Sequence, residues 1–306
     1  MSFKPEIAVV AAIPPELETR LAADFTLVKV RPTADETLPH TVAVTTSMAG
    51  FDRALFSSFP NLKLIACNGT GLDGIDLEAA ASRGVTVQNT PDSVTEDTAD
   101  TAIGLLYATL RRLVEADRFM RSGRWGAERM TPSRRISSRH MGIVGMGKIG
   151  KVVAKRASAL GVQVSYTART AKSDLPYGFH PDVVSLAKAV DVLVLCCPGG
   201  KETEGLVDSS VLDALGPDGI LINIARGSVV NEPQLLEALA EGRIGGAGLD
   251  VFASEPAFDQ RFLAFENVVL LPHYASVTRE TRADMANVLH AAISTQLASN
   301  TTERTA

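Results

Sequence analysis

The sequence predicts an α/β protein made of two doubly wound parallel sheets. Three observations carry that prediction. Short apolar runs alternate with amphipathic stretches along both halves of the chain, the pattern left by strands buried on both faces and joined by crossover helices. A glycine-rich turn, Gly145-x-Gly147-x-x-Gly150, stands between one such strand and one such helix. At 306 residues with 45% apolar composition, the chain is long enough to fill two separate cores.

In the first part, strands are expected over Ile7 to Ala12, Thr26 to Val30, Val42 to Thr45, Leu62 to Cys67 and Val85 to Gln88, with helices such as Pro15 to Ala23 and Leu77 to Arg83 between them. The apolar run Ile7 to Ile13 is stopped by Pro14-Pro15 and lacks a basic start. It reads as a buried first strand rather than a signal peptide or a membrane span. The turn Asn68-Gly69-Thr70-Gly71-Leu72-Asp73-Gly74 carries three glycines in seven residues. It can cradle a carboxylate on exposed N–H groups or serve as an ordinary strand-to-helix turn.

Ser93-Val94-Thr95-Glu96 has the spacing of a capping box, with Glu96 reaching back to the Ser93 end. The helix that it opens carries Ala99, Ala102, Ile103, Leu106 and Leu110 on one face. The first crossing between domains is placed here. The arginine-rich stretch Arg121 to Arg139 holds the only tryptophan, Trp125, and lacks clean periodicity. It reads as a protruding arm that meets a partner subunit, or as a tryptophan folded back on its own helix.

Met141 to Val144 then lead into the glycine turn, and apolar residues follow at helical spacing through Ile149, Val152, Val153, Ala157 and Leu160. Gly145 permits the turn, Gly147 lets backbone approach a pyrophosphate, and Gly150 lets helix and strand pack closely. Helix N–H groups would face the phosphates, so this Rossmann-type unit is expected to bind a dinucleotide. The next strand, Val162 to Thr167, ends without the acidic residue that holds the ribose 2′-hydroxyl of NAD; Thr167 stands there, with Arg169 two residues on. A carboxylate repels a 2′-phosphate, whereas hydroxyls and a guanidinium bond it. NADPH is therefore expected over NADH, against the alternative that Arg169 is a solvated loop charge.

Further strands are expected over Asp191 to Cys196, Gly219 to Ile224, Gly246 to Val251 and Val268 to Leu271, with helices over Ser209 to Leu215 and Glu232 to Glu241. Cys196 and Cys197 close one strand without CxxC spacing and read as small apolar packing, not as redox or metal chemistry. With Cys67 they make three cysteines, an odd and sparse set that implies no disulfide framework and suits a reducing cytoplasm. The formal net charge of −5 and the lack of a basic tail do not suggest nucleic acid as a partner. Three polar residues follow three successive strand ends: Arg226 in Ile222-Asn223-Ile224-Ala225-Arg226-Gly227, Glu255 after Leu249-Asp250, and His273 after Leu271-Pro272. In an open parallel sheet those ends line the ligand crevice.

Taken together, the glycine turn, Ala225-Arg226-Gly227, Asp250-x-x-x-x-Glu255-Pro256 and Pro272-His273 resemble the D-isomer-specific 2-hydroxyacid dehydrogenases over nearly the whole chain. Tyr166-Thr167-Ala168-Arg169 and Arg121-Ser122-Gly123-Arg124-Trp125-Gly126 resemble the NADPH-dependent glyoxylate/hydroxypyruvate and hydroxyphenylpyruvate reductases within that family. The resemblance implies reduction of a small 2-oxo acid to the D-2-hydroxy acid, with His273 as general acid, Glu255 orienting its ring and favouring the imidazolium, and Arg226 gripping the carboxylate and polarising the carbonyl. It implies substrate contacts from Gly69, Thr70, Gly71, Met48, Arg226 and His273. It also implies cofactor contacts from Thr98, from Gly145 through Met146, Gly147, Lys148 and Ile149 to Gly150, from Thr167, Ala168, Arg169 and Thr170, from Cys197, Pro198 and Thr203, and from Ala225, Asp250 and His273. No metal is implied.

The last stretch, Val277 to Ser299, reads as one helix with Met285, Val288, Leu289, Ala292 and Ile293 as packing positions, followed by a frayed polar tail from Asn300 to Ala306. In the family it returns to the first domain, which implies a flavodoxin-like substrate domain over 1–96 plus 285–306, a dinucleotide-binding domain over 97–284, and an active-site cleft between them. Relatives are homodimers joined through their nucleotide domains. The implied partners are therefore a 2-oxo or 2-hydroxy acid and a second copy of the chain, with no nucleic acid and no membrane. Alternatives are reduction of an aryl pyruvate (phenylpyruvate or hydroxyphenylpyruvate) or of 2-ketogluconate, and a non-enzymatic dinucleotide-sensing scaffold.

Overall fold

The computed structural model describes residues 4–31 and 36–303. The chain forms two compact units, one of the residues up to Val94 together with those from Val277 onward, the other of Thr95–Ser276. Among the described residues no helix is long and apolar enough to cross a membrane.

The first unit is built on strands β1 (Glu6–Val9), β2 (Thr26–Lys29), β3 (Val42–Thr46), β4 (Leu64–Asn68) and β5 (Thr86–Gln88), with helices α1 (Pro15–Ala22), α2 (Arg53–Ser58) and α3 (Leu77–Ser82). All pairings are parallel, in the order β2-β1-β3-β4-β5. That is the flavodoxin-like order. Strand residues alternate between two cores, as a period of two requires. Ile7, Val9, Val42, Val44, Leu64 and Ala66 pack on one face with Leu17 and Leu21 of α1; Ala8, Ala43, Ile65 and Cys67 pack on the other with Phe51, Phe56 and Phe59.

In the second unit α4 (Thr95–Leu110) and α5 (Leu113–Arg121) precede β6 (His140–Val144), α6 (Lys148–Ala159), β7 (Gln163–Thr167) and β8 (Gly178–Phe179). There follow α7 (Val183–Ala189), β9 (Val192–Leu195), α8 (Ser209–Leu215), β10 (Ile220–Asn223), α9 (Glu232–Ala240), β11 (Gly246–Leu249) and β12 (Val268–Leu270). The seven strands run parallel in the order β12-β11-β10-β9-β6-β7-β8. Chain order reverses between β6 and β9, the topological switch point of a Rossmann sheet. Each face again has its own core, with Leu193, Leu195, Leu221 and Leu249 on one and Met141, Ile143, Val192, Val194 and Ile222 on the other.

The structure corrects several expectations. Glu96 does not reach back toward Ser93: α4 begins at Thr95, and the Glu96 carboxylate meets Arg156 of α6 at 2.7 Å. The stretch expected to lack periodicity, Arg121 to Arg139, is irregular from Ser122 on except for a single 3₁₀ turn, Arg124–Gly126; Arg121 itself closes the regular helix α5. The closing helix α10 (Arg279–Glu303) runs past Ser299 into the expected frayed tail, of which residues 304–306 lie outside the described ones. Of its predicted packing positions, Leu289 and Ile293 are fully buried in the core that α10 shares with α1 and β4, whereas Val288 is 40% exposed.

Candidate active site

β10 delivers the first of the three strand-end residues. Ile220, Leu221 and Ile222 are buried on the two faces of the sheet, and Asn223 follows as a buried amide, 1% exposed. Its Oδ1 accepts from Ala225 N at 3.0 Å and its Nδ2 donates to Arg226 O at 2.9 Å. Arg226 is extended, half-buried, and donates through Nη1 to Ala225 O at 2.7 Å. The turn is held on its far side by Gly227, where a Cβ would lie 1.9 Å from Phe252 C, so only glycine fits.

β11 leads into Asp250, which is 1% exposed and accepts from Tyr274 N at 2.6 Å and Ala275 N at 3.0 Å. Its backbone carbonyl accepts from His273 N at 2.8 Å. Those bonds hold His273 at φ 52°, a left-handed conformation that side chains other than glycine adopt only under constraint. Burial pushes the Asp250 carboxyl above its ordinary value, against the opposing pull of the two amides.

Five residues after Asp250, Glu255 Oε2 meets His273 Nδ1 at 2.6 Å while Oε1 accepts from Phe252 N at 2.8 Å. Burial favours the neutral carboxyl, but His273, the Phe252 amide and the Arg226 guanidinium outweigh it and hold Glu255 below its ordinary value. The pair thus consists of an anionic carboxylate fixed to one ring nitrogen of a histidine, with a cation close enough to act on the same carboxylate. Such a set can move a proton at Nε2 and stabilise negative charge beside it.

The glycine turn lies at the carboxyl end of β6. Gly145 has φ 95°, a Cβ there would stand 2.7 Å from Cys197 Cα, and its N–H donates to Thr167 O at 2.9 Å. Gly150 comes so close that a Cβ would stand 2.2 Å from Gly145 O. Gly147 faces open space, with nothing within 4 Å of a Cβ built on it. Helices α2, α3, α7, α8 and α9 are N-capped by Asp52, Asp76, Asp182, Asp208 and Asn231, whereas α6 has no side-chain cap and starts at Gly147. An anionic cap would repel phosphate; this helix start, with a cradle that any side chain would fill, fits the pyrophosphate of a dinucleotide.

Around the turn, Thr167 is 8% exposed at the end of β7, and Ala168, Arg169 and Thr170 follow it outward. Arg169 is exposed, and no side-chain partner is found for it among the described residues. Lys148 is exposed and Ile149 half-buried, but the Met146 side chain is 2% exposed in the core and leaves only backbone to offer. Pro198 and Thr203 lie in the loop after β9, where Thr203 Oγ1 donates to Pro198 O at 2.7 Å. Cys197 is 8% exposed and burial raises its thiol to about 11, which suits packing. Thr98 and Ala225 are 5% and 6% exposed.

Gly69, Thr70, Gly71 and Met48 belong to the first unit. Gly69 has φ 141° and its carbonyl accepts from Thr90 N at 3.0 Å; Asn89 Nδ2 donates to Thr70 O at 2.8 Å. The turn is therefore held through its carbonyls. Met48 is 61% exposed.

Two residues of the site escaped the sequence reading. Asn223 is one; its signal is a lone amide closing an otherwise apolar strand. Glu232 is the other: 9% exposed at the start of α9, it accepts from Ala253 N at 2.7 Å and braces the loop that carries Glu255. Its only mark in the sequence is an acid in a helix's first turn, which ordinarily signals the macrodipole.

The D-isomer specific 2-hydroxyacid dehydrogenase NAD binding domain matches residues 103–275. The chain belongs to this family. The matched span contains the glycine turn, Arg226, Asp250, Glu255 and His273. The chain is 48% identical over 241 residues to a glyoxylate/hydroxypyruvate reductase A of Arabidopsis thaliana, covering 79% of this chain and 77% of that protein. It is 41% identical over 294 residues to a 2-ketogluconate reductase of Gluconobacter oxydans, covering 94% of each. Among solved structures, it is similar to an NADPH-dependent glyoxylate/hydroxypyruvate reductase from Sinorhizobium meliloti in complex with NADP and malonate. There the TM-score is 0.87 at 41% identity, over 94% of this chain and 92% of that one. The two parallel sheets described above are the fold of these dehydrogenases.

Proposed function

We propose that the chain is an NADPH-dependent reductase of a small 2-oxo acid, glyoxylate or hydroxypyruvate, yielding the 2-hydroxy acid in D configuration where the product is chiral. The observation that carries this reading is the 2.6 Å contact between Glu255 and His273, within the same unit as Arg226 and the glycine turn. When bound, NADPH supplies the hydride for the carbonyl carbon. His273 Nε2 gives the proton to the carbonyl oxygen, and Glu255 holds the ring through Nδ1 and balances the imidazolium. Arg226 grips the carboxylate and faces the charge that develops on the oxygen.

Gly145 to Gly150 take the pyrophosphate, Thr167 to Thr170 the adenosine ribose, and Arg169 the 2′-phosphate. The lack of a carboxylate at the end of β7 and the exposed, unengaged Arg169 support NADPH over NADH. The enzyme works as a cytoplasmic homodimer, for which the 60% exposed Trp125 after α5 offers a contact. A second substrate, 2-ketogluconate, is favoured by a specific observation: the reductase of that name aligns along 94% of this chain.

Initial rates with NADPH and with NADH, against glyoxylate, hydroxypyruvate, hydroxyphenylpyruvate and 2-ketogluconate, test the reading. Turnover on the first two with NADPH preferred is expected. Bound dinucleotide without turnover of any of the four would overturn it in favour of a dinucleotide-sensing scaffold.

A further inference from the structure

The geometry points to Asn223 as a positioning residue that sets the Arg226 guanidinium through the carboxamide clasp over Ala225 and Arg226, an inference that rests on the reductase reading above. The clasp is two-sided. Asn223 Oδ1 accepts from Ala225 N at 3.0 Å and Nδ2 donates to Arg226 O at 2.9 Å, so one buried side chain closes both polar groups of the turn. Gly227, whose backbone touches Phe252, fixes the turn on its other side. The start of the Arg226 side chain is thus determined from before and after, and a misplacement there moves the guanidinium at its far end.

No other residue type supplies this pair of bonds at this reach. Aspartate offers two acceptors, one of which would confront the Arg226 carbonyl; serine offers one group in place of two; alanine and leucine leave the Ala225 N–H without its Asn223 acceptor and the Arg226 C=O with only its bond from Val229 N at 3.2 Å. The link from β10 to His273 uses different atoms. Asn223 O accepts from Asp250 N at 3.0 Å, and Asp250 O accepts from His273 N at 2.8 Å, all through the main chain. Replacing the Asn223 side chain therefore disturbs Arg226 while the connection that seats His273 stays. The charged and titratable groups around the clasp are Arg226 on its own turn, Asp250 on the neighbouring strand end, and the Glu255–His273 pair beyond it.

Asn223→Ala and Asn223→Asp test this. At neutral pH both variants are expected to raise KM for the 2-oxo acid by about tenfold to a hundredfold, the penalty typical of a displaced binding group. Affinity for NADP, read by calorimetry, is expected to stay within about twofold. Oxalate, which presents a carboxylate beside a second oxygen, is expected to bind the enzyme–NADP complex about tenfold or more weakly, a reading that does not depend on turnover. As pH falls toward about 5, Asn223→Asp regains substrate affinity relative to the wild type measured at the same pH, because a protonated carboxyl both donates and accepts. Asn223→Ala shows no such recovery. The inference is overturned if both variants match wild type in KM and oxalate affinity. It is also overturned if substrate and NADP binding fall together with thermal stability and Asn223→Asp gains nothing in acid. Wild-type enzyme that binds NADP yet turns over no 2-oxo acid and binds no oxalate would sink the reductase reading instead.

Discussion

Glu255 Oε2 and His273 Nδ1 lie 2.6 Å apart, a contact between loops that follow two different strands. The carboxylate is itself held by the Phe252 amide, so the histidine meets a fixed anion rather than a swinging one. This makes the Nδ1 side of the ring a donor, and in the proposed reaction Nε2 is the nitrogen that exchanges a proton.

In the proposed reaction, reduction needs the protonated ring and oxidation of the hydroxy acid needs the neutral one. His273 should therefore be needed in both directions. In Glu255→Gln the anion that fixes the ring through Nδ1 is gone, so kcat should fall by about tenfold or more in both directions. His273→Gln should lose about 10²–10⁴-fold in kcat. Rates of the three proteins in both directions check this, and a kcat of Glu255→Gln equal to that of wild type would refute the pairing's role.

The same carboxylate should be visible in stability. Glu255 is held below its ordinary value in the folded protein, although burial opposes this. A carboxyl of depressed pKa stabilises the fold above its unfolded-state titration, and that contribution disappears as pH falls through the folded value. Wild type should thus unfold at higher urea than Glu255→Gln near neutrality, with the gap closing below about pH 4. A gap that widened in acid would contradict the shift.

Gly147 and Gly150 belong to one motif but should fail in different ways. Space surrounds Gly147, and its φ of −81° suits any residue, so Gly147→Ala should fold with unchanged Tm and bind dinucleotide more weakly by about tenfold or more. At Gly150 a methyl would stand 2.2 Å from Gly145 O, so Gly150→Ala should lose stability by about 1–3 kcal/mol, seen as a lowered Tm. Equal Tm values with equal affinities would remove the distinction.

Cofactor choice should turn on the end of β7. Arg169→Ala should raise KM for NADPH by about ten- to hundredfold, equivalent to losing a charge-assisted bond of about 1.5–3 kcal/mol, with little change for NADH. Thr167→Asp should go further and favour NADH by repelling the 2′-phosphate. Parallel KM measurements with the two cofactors decide it.

What the sequence by itself determined was whatever depends on local chemistry. Strands buried on both faces must be apolar without interruption, so β9 and β10 were legible as runs. Gly145 had to be glycine because the turn takes φ 95°, and that need is written in one residue. Arg226, Glu255 and His273 stood out because each follows an expected strand end. Only the tertiary structure decided which groups those residues meet. Glu96 left its own helix start for Arg156, Val288 turned to solvent while Leu289 and Ile293 of the same helix packed into the core, and β8 was too short to register as a run. The braces of the site were equally hidden. Asn223 and Glu232 act by accepting from or donating to backbone groups, and a backbone partner carries no side-chain signature for a sequence to show. Such partners are chosen by how strands and loops pack across the fold, and that is a property of the assembled chain alone.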